Sequence, residues 1–264
     1  MMMNISLEGK RALVGGASSG IGKAIAIELA NCGAEVVLMS RSEEKLVAVL
    51  AELCTNKGQK HSYLVTDFND YERHRSVIES FFEDNQIDIL VNNTNGPLAG
   101  GVISKTAVDY QQAFDLLFRH AVQTSVLAIE GMQKKGFGRI INVSSMTVKE
   151  PNANLVLSNT MRTALVSWSK SLATEVARDG VTVNTVLTGF FDTDRLNSLM
   201  QMEAEKNSIP LQQVKQMKSA SIPVQRLGEP KEYGYMVAFL ASEYASFLTG
   251  TAIPLDGGAA TAMY

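Results

Sequence analysis

The residues best suited to chemistry in this chain are the glycines of Arg11–Gly22, RALVGGASSGIG. Gly15, Gly16, Gly20 and Gly22 crowd a short stretch that follows an apolar run and precedes a helical pattern. A glycine has no Cβ, so it takes positive φ and lets another backbone or a ligand approach closely. The first turn of a helix leaves amide N–H groups without partners and carries partial positive charge. A strand, a glycine turn and a bare helix N-terminus together form a cradle for a pyrophosphate. The spacing Gly16-x-x-x-Gly20-x-Gly22 is a variant of the G-x-G-x-x-G dinucleotide fingerprint.

The elements that must hold this cradle are legible from periodicity. Arg11–Val14, Glu35–Met39, Ser62–Val65, Ile87–Val91, Arg139–Val143, Val181–Val186 and Thr251–Leu255 read as strands. Helical patterns cover Ile21–Ala30, Glu43–Leu53, Tyr71–Phe82, Asp109–Lys134, Asn154–Arg178 and Glu229–Ser242, with a long irregular or helical excursion over Asp192–Gly228. Strands alternating with helices of this length predict βαβ crossovers, hence an α/β fold with a parallel sheet and helices on both faces. In such sheets ligands bind beyond the carboxyl ends of the strands. The loops 15–20, 40–41, 66–68, 92–101, 144–153 and 188–228 are therefore expected to share one rim.

Composition narrows the class. A chain of 264 residues with 45% hydrophobic content is long enough for one large domain with a substantial core. The net charge of −3, without a dense Lys/Arg cluster, argues against nucleic-acid or anionic-membrane partners. Cys32 and Cys54 show no C-x-x-C spacing, and MMMNISLEGK lacks the apolar core of a secretory signal, so a cytoplasmic protein is expected. No apolar run approaches the length of a membrane span. No His, Cys and carboxylate spacing reads as a metal site.

Taken in order, VGGASSGIG, SR after the second strand, TDF, LVNN, GRIINVSS, VTVNTV and FLTGTAIPLDGG resemble the short-chain dehydrogenase/reductase family over Leu7–Gly258. The layout is most similar to reductases acting on 3-oxoacyl groups and related carbonyls. The resemblance implies a single-domain Rossmann fold across residues 1–264, with a parallel seven-stranded sheet and a substrate lid at about 192–228. It implies that Gly16, Gly20 and Gly22 line the coenzyme loop, that Ser18 and Ser19 offer hydroxyls to phosphate, and that Ile21 packs beneath it. It places Asp67 and Phe68 at the adenine and Asn93 and Thr94 beside the ribose. Gly189, Phe190 and Thr193 fall near the nicotinamide or diphosphate. An acidic residue after the second strand would favour NAD. Ser40 and Arg41 stand there instead, so NADP(H) is preferred and NAD(H) remains possible.

The catalytic half departs from the family pattern. A Ser, a Tyr thirteen residues later, a Lys four beyond that, and an upstream Asn are expected. Ser145 fits the first place, but Ser158, Arg162 and Leu117 occupy the others. Ser158 and Arg162 are i, i+4 and share one helix face. Arg162 presents a permanently charged fork that can hold the nicotinamide ribose hydroxyls and lend positive charge to an oxyanion, and Ser145 and Ser158 are candidate donors to a substrate oxygen. No Tyr lies between Tyr110 and Tyr233 to supply the usual phenolic acid. Three functions follow from the resemblance: an NADP(H)-dependent oxidoreductase with an atypical proton relay, a nucleotide-binding member without dehydrogenase turnover, or non-redox chemistry on the same frame, such as a lyase or dehalogenase-like reaction. The resemblance also implies a homotetramer or homodimer built on the two long helices. His61, His74 and His120 read as packing or surface residues. Lys149 and Glu150 read as solvated rim.

Overall fold

The computed structural model describes residues 4–262. All seven strands join one parallel sheet in the order β3-β2-β1-β4-β5-β6-β7, as the alternating pattern predicts. They are β1 (Arg11–Gly15), β2 (Glu35–Ser40), β3 (Ser62–Val65), β4 (Ile89–Asn92), β5 (Gly138–Ser145), β6 (Val181–Thr188) and β7 (Ala252–Leu255). The chain leaves β1 to one side through β2 and β3, then returns to the other side at β4. That reversal opens a crevice at the carboxyl ends of β1 and β4, where doubly wound sheets bind their ligands.

The inner strands β2, β1, β4, β5 and β6 are buried on both faces, which explains their near-continuous apolar runs, while the edge strands β3 and β7 are only half-buried. In β1, Ala12 and Val14 join one core layer while Leu13 points into the other. The first layer is covered by α1 (Gly20–Asn31), α2 (Glu43–Leu50) and, later in the chain, the helix over Pro230–Ala241. The second is covered by α3 (Tyr71–Asp84) and by the two long helical segments that follow β4 and β5.

The predicted helix 109–134 is not continuous. It resolves into α4 (Ala107–Phe114), a π-helical stretch Asp115–Arg119, and α5 (His120–Lys135). The His120 N–H bonds the Asp115 carbonyl, five residues back. A π turn inserts one residue into the helical repeat and shifts the face that follows it. Leu117 lies in this stretch, buried at 4% exposure. The second long helix is α6 (Val156–Val176).

The excursion after β6 is mostly helical: α7 (Asp194–Asn207) and α8 (Leu211–Ala220), followed by α9 (Pro230–Ala241). Met200, Ala204 and Val214 form a small core of their own between α7 and α8, with Leu196, Ile209, Leu211 and Leu227 around it. Met202 and Met217 are exposed instead. The other differences are at element ends. β4 begins at Ile89 rather than Ile87, because Asp88 takes the Arg11 N–H and the Lys135 ammonium on its carboxylate, both at 2.8 Å. α2 ends at Leu50 rather than Leu53. No helix among the described residues is long and apolar enough to cross a membrane.

Candidate active site

The glycine turn is built as its sequence demands. Gly16 and Gly20 have φ of 58° and 53°, the left-handed region that L side chains avoid. A Cβ at Gly22 would lie 2.2 Å from the Gly16 carbonyl oxygen, so the turn closes only because α1 starts with glycine. Asn93 clamps the turn from the neighbouring strand, its Nδ2 donating to the Gly15 carbonyl at 3.0 Å. Ser19 occupies the N-cap of α1 yet makes no side-chain capping bond, and no acidic residue stands in the first turn. The hydroxyl and the first-turn amides are thus available to an anion. Ser18 is half-buried beside it, and Ile21 packs on the first core layer.

At the carboxyl end of β2, Ser40 is 5% exposed and its Oγ has no hydrogen-bond partner. A buried hydroxyl left without a partner is costly, and its satisfaction by a ligand is a natural resolution. Arg41 is exposed next to it. At the end of β3, Asp67 accepts from the Asn69 N–H at 2.9 Å. The Phe68 ring turns inward, packing 5.2 Å from His74 and 5.7 Å from His120. The Phe68 carbonyl pairs with His120 Nε2 at 2.7 Å.

Gly15, Met39, Phe68, Asn92, Asn93, Thr94, Leu117 and Arg162 line a small pocket at the sheet's switch point, together with residues of α5 and Val143. Its interior is about 20 Å³, room for about one water molecule. A dinucleotide would therefore lie along the open crevice, with this pocket in its inner wall. The Thr94 hydroxyl is 3.4 Å from the Leu116 carbonyl.

Arg162 is held on α6 by two bonds. Its Nε donates to Ser158 Oγ at 3.2 Å, and its Nη1 to the Val143 carbonyl at 2.7 Å. Burial pushes its pKa down to about 10, and the positive charge of Arg195 acts in the same direction. Its Nη2 has no hydrogen bond among the described residues. Ser158 accepts from Arg162 and keeps its own proton for donation. Ser145, two residues beyond Val143 on β5, accepts from the Thr147 N–H at 3.2 Å and the Thr147 hydroxyl at 3.1 Å. Its proton is likewise left for another acceptor. The structure thus gathers Ser158 and Arg162 at the carboxyl end of β5, next to the strand end that carries Ser145.

On the far wall, Gly189 packs against β7: a Cβ there would lie 2.5 Å from the Asp256 Cα. Phe190 is 37% exposed, with Lys218 over its ring at 4.7 Å. Thr193 caps α7, its Oγ1 accepting from the Leu196 N–H at 3.3 Å. Its methyl group would be 3.4 Å from a Cβ at Gly20, so this cap faces the glycine turn.

Asn92 of the LVNN run lines the pocket, with its amide donating inward to Ser125 at 3.0 Å and to Asn142 at 2.8 Å. Other residues near the site have no motif to announce them. His120 and His74 are 2% and 1% exposed, with ring centroids 4.2 Å apart. Desolvation lowers both, His74 to about 3. Tyr233 comes near Arg162, but it is wholly buried. Its hydroxyl donates to the Val186 carbonyl at 3.2 Å and accepts from Thr188 at 3.1 Å, and burial raises its pKa. It is a packing residue, not a substitute acid. No group of three or more His, Cys, Asp or Glu suited to a metal occurs among the described residues.

Comparison with known proteins agrees with this geometry. Residues 16–260 match the family model described as Enoyl-(Acyl carrier protein) reductase. The chain is 36% identical to the 3-oxoacyl-[acyl-carrier-protein] reductase FabG of Haemophilus influenzae, over 96% of this chain and 98% of that one. It is 31% identical to the NADPH-dependent reductase BacG of Bacillus subtilis, over 94% and 97%. Among solved structures, the L-sorbose reductase of Gluconobacter frateurii complexed with NADPH and L-sorbose superposes with a TM-score of 0.92 at 29% identity, covering 99% of this chain and all of that one. With this sheet order, this glycine turn and these full-length matches, the chain belongs to the short-chain dehydrogenase/reductase family, among its 3-oxoacyl-reductase-like members.

Proposed function

We propose that this protein is an NADP(H)-dependent oxidoreductase that interconverts a carbonyl and its alcohol, working through an altered set of polar side chains. The observation that carries the coenzyme reading is the buried, partnerless Ser40 Oγ beside the exposed guanidinium of Arg41. A neutral hydroxyl and a cation at this strand end suit a 2′-phosphate, whereas a carboxylate would suit a ribose diol. The relatives named for NADPH support the same choice. Gly16, Ser18, Ser19, Gly20 and Gly22 would hold the diphosphate, with Asn93 keeping the turn in shape. Asp67 and Phe68 would flank the adenine, Thr94 the ribose, and Gly189, Phe190 and Thr193 the nicotinamide end.

Bound there, the coenzyme supplies the hydride equivalent that adds to the carbonyl carbon. The chain's task is to stabilise negative charge on the carbonyl oxygen and deliver one proton to it. Arg162 and the free protons of Ser145 and Ser158 meet the first need as preorganised donors. Ser158 meets the second by passing a solvent proton, its oxygen already polarised by the Arg162 Nε–H. An aliphatic hydroxyl is a poorer acid than a phenol, so turnover on simple ketones is slow. α7 and α8 form a lid, and α4–α6 the faces of a homodimer or homotetramer.

A second reading, a coenzyme-binding member without dehydrogenase turnover, is favoured by the absence of any accessible phenol beside Arg162 among the described residues. NADPH consumption against a panel of carbonyls, paired with coenzyme-induced thermal shift, separates the two. Turnover on any member supports the first reading. A shift without turnover on every member supports the second.

A further inference from the structure

Beyond Arg41 and Arg162, the crevice holds a third guanidinium that none of the coenzyme roles uses. Arg195 stands in the first turn of α7, and its Nη2 would lie 3.3 Å from a Cβ built on Gly96. Gly96 is two residues beyond Thr94, a wall residue of the pocket that Arg162 also lines. The bare glycine is what gives the guanidinium its room against this loop. Arg195 forms no ion pair or hydrogen bond among the described residues. Gly96 and Arg195 stand just outside the pocket's lining, and the charge of Arg195 also acts on Arg162. Not one of the pocket's lining residues is an Asp or Glu. Two like charges brought together without a counter-ion repel, and an anion between them relieves the cost.

We propose that Arg195 is the specificity residue of the site: it holds the carboxylate of an oxo-acid substrate whose carbonyl oxygen faces Arg162. This rests on the coenzyme-dependent reading above and adds the substrate class to it. The two guanidinium groups then have separate tasks, one binding a charge present throughout, the other meeting a charge that develops during reduction. The lid carries the recognition group, so an acid that bridges Arg195 and Arg162 also draws α7 over the site.

The test uses the full-length protein, wild type and Arg195→Gln. NADPH affinity is measured first by fluorescence titration. The NADP⁺-loaded protein is then titrated by calorimetry with pyruvate, phenylpyruvate and acetoacetate, each against its methyl ester. At least one acid is expected to bind roughly tenfold or more tightly than its ester, and Arg195→Gln should erase that ratio. NADPH affinity should stay within about twofold, because Arg195 is assigned to the substrate and not to the coenzyme. Arg195→Lys should restore part of the preference, as a point charge lacking the planar fork. Equal binding of every acid and ester would overturn the proposal. So would a variant that loses NADPH affinity while keeping the acid preference, since the guanidinium would then belong to the coenzyme diphosphate. Failure of the wild type to bind NADPH would sink the underlying reading instead, and the acid-against-ester comparison on the unloaded protein would still decide the anion site.

Discussion

The Nε of Arg162 donates to the hydroxyl of Ser158 one helical turn away, at 3.2 Å. These two residues stand where the family resemblance leads one to expect a Lys and a Tyr. The pairing keeps a cation and a hydroxyl in contact but exchanges a phenol for an aliphatic alcohol. Positioned acid catalysis is typically worth about 10²–10⁴ in rate. Ser158→Tyr combined with Arg162→Lys is therefore expected to raise reduction of simple ketones by about tenfold or more, read as NADPH consumption at saturating substrate. No gain, with NADPH affinity intact, would separate these positions from the chemistry.

The glycine turn has no room for a methyl group. Gly22→Ala puts a Cβ 2.2 Å from the Gly16 carbonyl oxygen, so either the turn or the start of α1 must move. Overpacking of this kind costs about 1–3 kcal/mol. A lower melting temperature and a loss of NADPH-induced thermal shift are expected together. A variant that melts lower but keeps the full shift would place the coenzyme elsewhere.

On the proposed reading, Ser40 sets coenzyme choice. Ser40→Asp introduces a carboxylate where a 2′-phosphate is expected, and like charges oppose each other. The NADPH affinity should fall about tenfold or more while NADH affinity holds or improves. Fluorescence titration with both coenzymes reads the ratio. An unchanged ratio would remove Ser40 from the site.

The buried histidine pair makes stability depend on pH. His74 is pushed from 6.5 to about 3 by desolvation, with the charge of His120 adding to it, and His120 is lowered as well. Above pH 6.5 both the folded and unfolded chains hold neutral imidazoles, and this pair contributes no pH dependence. As the pH falls below that, the unfolded chain binds protons that the native state refuses. For His74 stability then drops by about 1.4 kcal/mol per pH unit, and His120 adds to the loss in the same direction. The loss levels off only when the native His74 itself protonates, near pH 3. Urea melts between pH 7 and 4 should show this slope, and His74→Gln should flatten it by about one proton's worth. An unchanged slope in the variant would mean that His74 is protonated in the folded state.

Much of this molecule is written in short-range pattern. The apolar runs and helical repeats foretell seven strands and the helices between them, and the glycine spacing foretells the turn. These features depend on backbone geometry within a few residues, so spacing alone carries them. The rim loops also meet as expected, because parallel strands place all their carboxyl ends on one side. The π turn at Asp115–Arg119 is different: one extra residue in a helical repeat leaves the apolar pattern readable as an unbroken helix.

Ser158 and Arg162 could be paired from spacing, since i, i+4 residues share a helix face. Arg195 beside Gly96, His74 against His120, and Tyr233 near Arg162 could not. Each joins residues from separate elements whose distance depends on how layers stack and how an excursion folds back. Periodicity tells a side chain which face to take, but not which distant partner it will meet there. Backbone order and the glycine turn are thus set locally along the chain, while the seat of Arg195 against Gly96 exists only once α7 has packed over the loop after β4.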